Sequence, residues 1–139
     1  MINEVNILRE LKHENIVRYY DKILDKKNTT LYIIMEYCSG GDLSQVIHRC
    51  KQEGKAIAED ELWTMFMQIV LALFECHRRK DKQMILHRDL KPSNIFLDEK
   101  RHPKLGDFGF AKVLNSSSQG DYALTQLGTP FYMSPEQSN

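Results

Sequence analysis

Cysteine is scarce here, and the three present do not pair. Cys38, Cys50 and Cys76 are an odd number, far apart, with no C-x-x-C spacing. That argues against a disulfide framework or a zinc site and points to a reducing compartment. Net charge is absent too: 19 acidic and 19 basic side chains cancel. No bulk attraction to nucleic acid or to a membrane surface follows. The one basic cluster, His77-Arg78-Arg79-Lys80, is tempered by Asp81 and reads as a solvated helix end. No apolar run reaches the roughly 20 residues of a membrane span. The longest, Met65 to Phe74, is broken by Gln68 and reads as a buried helix. No secretory or lipidation signal opens the chain, so the Asn-x-Ser/Thr matches at Asn28 and Asn115 read as chance. Repeats and low-complexity tracts are missing. No G-x-G-x-x-G pattern surrounds Gly40-Gly41, which reads as a linker and not a phosphate cradle.

What remains is an ordinary folding composition, 42% hydrophobic and 27% charged over 139 residues. Residues 2–11 have helical periodicity, with Glu4, Leu8 and Leu11 on one face. Residues 16–23 read as a strand, and the polar stretch 25–30 as a turn. Leu31 to Tyr37 reads as a second, buried strand, closing a hairpin. Asp42 is a good N-cap for a helix over Leu43 to Arg49. Glu59 to about Arg79 is the longest helix, with acids in its first turn and bases in its last. Leu62, Phe66, Ile69, Val70, Leu73 and Phe74 are its expected core face. Short apolar runs follow at residues 84–86, 95–97 and 103–105, suggesting small strands between tight loops. Residues 115–120 are rich in Ser and Gly and read as a mobile loop. The class expected is α+β.

Chemistry concentrates in the loops between those small strands. His87-Arg88-Asp89-Leu90-Lys91-Pro92-Ser93-Asn94 holds an acid, a lysine two residues on and an amide five residues on. Phosphoryl transfer needs such groups together. The acid positions the attacking hydroxyl and takes its proton, the lysine neutralises charge, and the amide oxygen suits a hard metal ion. Gly106-Asp107-Phe108-Gly109 follows another strand-like run. Its glycines permit unusual backbone angles around Asp107, a natural magnesium ligand. Gly128-Thr129-Pro130 and Ser134-Pro135-Glu136 form a third signal. An isolated Asp-Phe-Gly is common, but the ordered set at short spacing is not a chance pattern.

Together these residues resemble the protein kinase set: a catalytic loop, Asp-Phe-Gly, and an Ala-Pro-Glu that stands here as Ser-Pro-Glu. Lys91-Pro92 after Asp89 resembles the serine/threonine class. The stretches over residues 8–43 and 128–137 look like the NIMA-related kinases. The resemblance covers all 139 residues and implies a two-lobed kinase fold, incomplete here. Residues 1–36 would belong to the N-lobe, and residues 37–139 to the hinge and the first half of the C-lobe. It implies Asp89 as catalytic base with Lys91 beside it, and Asn94 and Asp107 as magnesium ligands. ATP would lie against the hinge Glu36-Tyr37-Cys38, with Met35 as gatekeeper and Phe96 beneath the adenine. Glu4 would pair with an ATP-binding lysine. Tyr19, Leu8, Phe108 and His87 would stack as an internal spine. Arg88 would answer phosphorylation of the activation segment, with Thr125 as the activating site. Ser116, Ser117 and Ser118 are further candidates. Thr129 would bond the catalytic loop, and Phe110 would favour serine acceptors.

Cofactors implied are ATP and Mg2+, and partners are protein substrates, with neither nucleic acid nor membrane. The resemblance also implies mitotic and centrosomal cell-cycle control, a cytoplasmic, centrosomal and nuclear location, and a homodimer formed through a region outside these residues. The glycine-rich loop and lysine strand of the family are expected upstream of Glu4, and its remaining helices after Glu136. On that basis the 139 residues alone are expected to be poorly stable and weakly active, with apolar surface exposed on the long helix. The competing expectation is a non-catalytic interaction module or decoy.

Overall fold

The computed structural model describes residues 9–25, 30–78, 83–115 and 128–138. Glu4, Leu8, Thr125 and Ser116 to Ser118 lie outside the described residues, as does most of the helix expected over residues 2–11. Its end is seen as helical backbone at residues 9–10.

Two antiparallel strands follow, β1 (Tyr19–Leu24) and β2 (Leu31–Met35), with a register shift between Tyr19 and Asp21. The Asp25 amide bonds the Thr30 carbonyl (3.0 Å), and the Thr30 amide bonds Asp25 Oδ1 (3.2 Å). Those bonds close the hairpin where the turn was expected. Burial corrects the reading of β2. All five of its residues are exposed, Met35 included, although the β-branched run suggests a buried strand. The cause is that no second layer covers this two-stranded ladder among the described residues.

Helix α1 (Leu43–Gln52) begins at Asp42, whose carboxylate accepts from the Gln45 amide (3.0 Å) and from the Ser44 hydroxyl. Arg49 and Lys51 complement the dipole in its last turn. Helix α2 (Glu59–His77) opens on Glu59, Asp60 and Glu61 and closes on His77. Its buried stripe is Met65, Ala72 and Cys76, flanked by half-buried Ile69 and Leu73. Four residues of the expected core face, Leu62, Phe66, Val70 and Phe74, are exposed. Large apolar side chains run around the whole helix, so periodicity alone does not pick the covered side; the small Ala72 and Cys76 mark where other backbone comes close.

The rest of the chain is short strands: β3 (Gln83–Leu86), β4 (Ile95–Leu97), β5 (Pro103–Leu105) and β6 (Lys112–Asn115). β3 pairs antiparallel with β6, and β4 with β5. The three expected runs are all strands; β6 was not anticipated. A last helical turn, α3, spans Pro135–Ser138. The principal core gathers Leu11, Ile16, Ala72, Cys76, Ile85, Leu105, Phe108 and Ala111. A second cluster joins Val46, Met65 and Leu97. The segment before β1 is fastened to β5 through Val17 N to Leu105 O (2.9 Å) and Leu105 N to Asn15 O (2.8 Å). Separate helices with small antiparallel sheets make the chain α+β, as expected.

Candidate active site

The β4–β5 hairpin brings the two sequence motifs together. Asn94 immediately precedes β4, and Gly106-Asp107 immediately follows β5. Because Ile95 pairs with Leu105, both lie at the same end of the hairpin. The Gly106 amide then bonds the Asn94 carbonyl (3.0 Å). Gly106 has no room for a side chain: a Cβ there would stand 2.8 Å from the Phe96 ring and 2.9 Å from Val17. The unusual backbone angle expected around Asp107 is present, though neither Gly106 nor Gly109 takes it. It is Asp107 itself that is left-handed, at φ 51, with its carboxylate accepting from the Gly109 amide. Aspartate tolerates that region better than most residues, because its short side chain bonds the local backbone.

Asp89 is buried, at 3% exposure, and among the described residues its carboxylate accepts from three side-chain donors. Thr129 Oγ1 donates to Oδ1 (2.8 Å), while Lys91 Nζ (2.8 Å) and Asn94 Nδ2 (2.9 Å) reach Oδ2. Lys91 also donates to the Thr129 hydroxyl (2.6 Å), closing a ring of three side chains. Asn94 Nδ2 donates again to the Asp89 carbonyl (2.8 Å), which commits its nitrogen and leaves the amide oxygen as a metal donor. Burial works against the Asp89 charge, yet bonds from Lys91, Thr129 and Asn94 outweigh it and hold the pKa below the usual carboxylate range. The group is ionised at neutral pH.

His87 supports the loop from below. Its Nδ1 accepts from the Asp89 amide (3.3 Å), so Nε2 carries the proton and donates to the Gly106 carbonyl (2.8 Å). Its ring packs against Phe108, centroids 4.8 Å apart. Burial lowers its pKa despite the Gly106 bond and the nearby acids, so it is a neutral strut. Tyr19 is buried as expected; the stacking of Leu8 lies outside the described residues. Arg88 is left-handed, at φ 66, and its Nε donates to the Phe110 carbonyl (2.6 Å). Its buried Nη1 has no partner among the described residues. A Cβ on Gly128 would meet the Arg88 carbonyl at 2.9 Å, so the segment carrying Thr129 can approach only through glycine.

The expected nucleotide residues lie apart from this ring. Glu36 and Cys38 follow β2, and Phe96 sits half-buried in β4. Burial, then the Glu36 charge, pushes the Cys38 thiol up, which disfavours its thiolate. Lys104, which carries no motif, was not anticipated. Its ammonium pairs with Glu36 Oε1 (2.9 Å) and donates to the Glu14 carbonyl (2.8 Å). The available signal was a lone lysine between two apolar strand residues. Among the described residues no cluster of three or more His, Cys, Asp or Glu could hold a metal. The oxygen donors at Asn94 and Asp107 nevertheless fit a hard ion such as magnesium.

The sequence profile of the family described as "Protein kinase domain" matches residues 1–138. A probable serine/threonine-protein kinase nek2 of Dictyostelium discoideum is 60% identical over 137 residues, covering 99% of this chain and 32% of the relative. The human serine/threonine-protein kinase Nek2 is 56% identical over 140 residues, covering 100% of this chain and 31% of its own length. The G2-specific protein kinase nimA of Emericella nidulans is 46% identical over 156 residues, 96% of this chain and 22% of its own. The chain thus spans about a third of the length of the first two curated relatives.

Proposed function

Since this chain belongs to the protein kinase family, we propose that it is the catalytic segment of a serine/threonine kinase, transferring the γ-phosphate of ATP to protein hydroxyls. The observation that carries the reading is the closed ring of Asp89, Lys91 and Thr129, with Asn94 behind it and Asp107 bonded alongside through Gly106.

Each side chain has a task in that reaction. Asp89 is ionised and, with a depressed pKa, a weak base. Its first role is to orient the acceptor hydroxyl, taking the proton as the O–H bond weakens. Its oxygens retain lone pairs beyond those used by Thr129, Lys91 and Asn94. Lys91 balances the carboxylate before substrate arrives and turns its charge toward the transferred group. Thr129 holds both in register. The Asn94 amide oxygen and the Asp107 carboxylate would hold magnesium, which when bound neutralises phosphate charge. The backbone of Glu36 to Cys38 would meet adenine, with Phe96 as its floor and Met35 as gatekeeper. Arg88 and Thr125 would form the phosphorylation switch, and Glu4 the lysine partner.

The G2-specific name of one relative extends the proposal to cell-cycle control; the cytoplasmic, centrosomal and nuclear sites and the homodimer of the intact protein are proposed on the family resemblance alone. No helix among the described residues is long and apolar enough to cross a membrane. The reading as a non-catalytic module draws on the exposed apolar faces of β2 and α2 alone and leaves the ring without a purpose, since an interaction surface needs none of it. The test is phosphoamino-acid analysis of a general protein substrate incubated with the intact protein, magnesium and labelled ATP. Label on serine and threonine supports the proposal; label confined to tyrosine, or none, refutes it.

A further inference from the structure

We propose, resting on the phosphotransfer reading above, that Lys104 is a positioning residue that locks the nucleotide hinge to the strand carrying the metal-binding Asp107. Lys104 is the middle residue of β5, and its neighbours Pro103 and Leu105 point into the core. Its own side chain leaves on the opposite face and is only 12% exposed. The ammonium is 2.9 Å from Glu36 Oε1 and donates to the Glu14 carbonyl at 2.8 Å.

Glu36 is held twice more. Its second oxygen accepts from the Arg18 amide (3.1 Å), and its own amide donates to the Arg18 carbonyl (2.8 Å). One lysine therefore gathers three chain segments: the loop at Glu14, the start of β1 through Arg18, and the residue leaving β2 toward Tyr37-Cys38. All three are tied to β5, which runs directly into Gly106-Asp107.

A well-packed apolar side chain would hold these segments together without desolvating two charges, so a largely buried ion pair is weak as a source of stability. What a pair with three directed bonds adds is geometry. A hinge shift that moves Glu36 must pull on Lys104, and through β5 on Asp107. Lys104 thereby adds a side-chain strut between adenine and metal–phosphate contacts to the backbone bonds Val17 N to Leu105 O, Leu105 N to Asn15 O and Gly40 N to Leu97 O. Removal of the lysine leaves the Glu36 carboxylate with only the Arg18 amide, beside the backbone bond from Glu36 N to Arg18 O, and loosens the hinge against the metal loop. The defect belongs to nucleotide binding and not to the acceptor hydroxyl, since the Asp89 ring does not touch Lys104.

The intact protein is compared with its Lys104→Met, Lys104→Arg, Glu36→Gln and Lys104→Met/Glu36→Gln forms. Lys104→Met is expected to raise the KM for ATP about 3- to 10-fold, with kcat and the acceptor KM within about twofold. Lys104→Arg should recover most of the loss, and the double variant should be no worse than Lys104→Met alone. Amide exchange at Arg18 and Glu36 should quicken in Lys104→Met. An unchanged ATP KM, a parallel fall in every parameter, or additive effects would overturn the proposal. If the unaltered protein transfers no phosphate, the proposed function fails. The latch is then decided by amide exchange alone, and unchanged rates at Arg18 and Glu36 sink it.

Discussion

Thr129 is the residue on which the ring turns, because its hydroxyl is at once donor to Asp89 and acceptor from Lys91. Thr129→Val keeps the shape and removes both bonds, leaving Asp89 with Lys91 and Asn94 and no partner on the Thr129 segment. A fall in kcat of about 10- to 100-fold is expected, with most of it returned by Thr129→Ser, as each lost bond to a charged group is worth roughly 1.5–3 kcal/mol. Steady-state kinetics on the two variants checks this; equal activity of Thr129→Val and the parent would contradict it.

His87 gives a pH dependence of opposite origin. Burial holds its pKa below the ordinary 6.5, so between that value and the folded pKa the unfolded chain binds more protons than the folded one. Stability therefore rises with pH in that window and is lost as pH falls below about 6.5. Asp89, also depressed, adds stability above its ordinary 3.8 that disappears only further into acid. Urea midpoints measured from pH 7 to 5 should decline, and His87→Phe, though less stable throughout, should flatten the decline. A slope unaltered by His87→Phe would place the sensitivity elsewhere. At this scale much was legible, because Asp89, Lys91, Asn94 and Asp107 are defined by type and spacing. The role of Glu36 as a side-chain partner was not, since its lysine is 68 residues away in sequence and no local pattern connects them.

Among the elements, the β4–β5 hairpin determines whether the two motifs meet. Its pairing of Ile95 with Leu105 places Asn94 and Asp107 at one end, and Phe96 lies over Gly106. Gly106→Ala would drive a methyl group into the Phe96 ring and Val17. The expected result is a loss of about 1–3 kcal/mol of stability with weakened magnesium-dependent nucleotide binding. Thermal melts with and without magnesium nucleotide measure both; a variant matching the parent in each would remove the packing argument. The sequence showed β4 and β5 as short apolar runs but left β6 unseen, because its pairing with β3 is long-range and its ends border a Ser-rich stretch. It also mistook the buried face of α2. Phe66 and Phe74 look like core residues by size, yet Ala72 and Cys76 occupy the contact, where close backbone approach favours small side chains.

Among the described residues, burial gathers beneath the loops that hold chemistry. The catalytic and metal motifs rest on the principal core through Ile85, Leu105 and Phe108. The hairpin β1–β2 and the outer face of α2 instead show Tyr32, Met35, Trp63, Phe66 and Phe74 to solvent. Apolar surface of that extent marks interaction faces. The account stands on the chemistry of the Asp89 ring, and one comparison tests it most directly: magnesium-dependent γ-phosphate transfer by the intact protein and by its Asp89→Asn form, with ATP affinity measured alongside. The account predicts transfer by the parent and a kcat lower by about 10²- to 10⁴-fold in Asp89→Asn, with ATP affinity retained. Transfer by Asp89→Asn at the rate of the parent, or none by the parent, would contradict it.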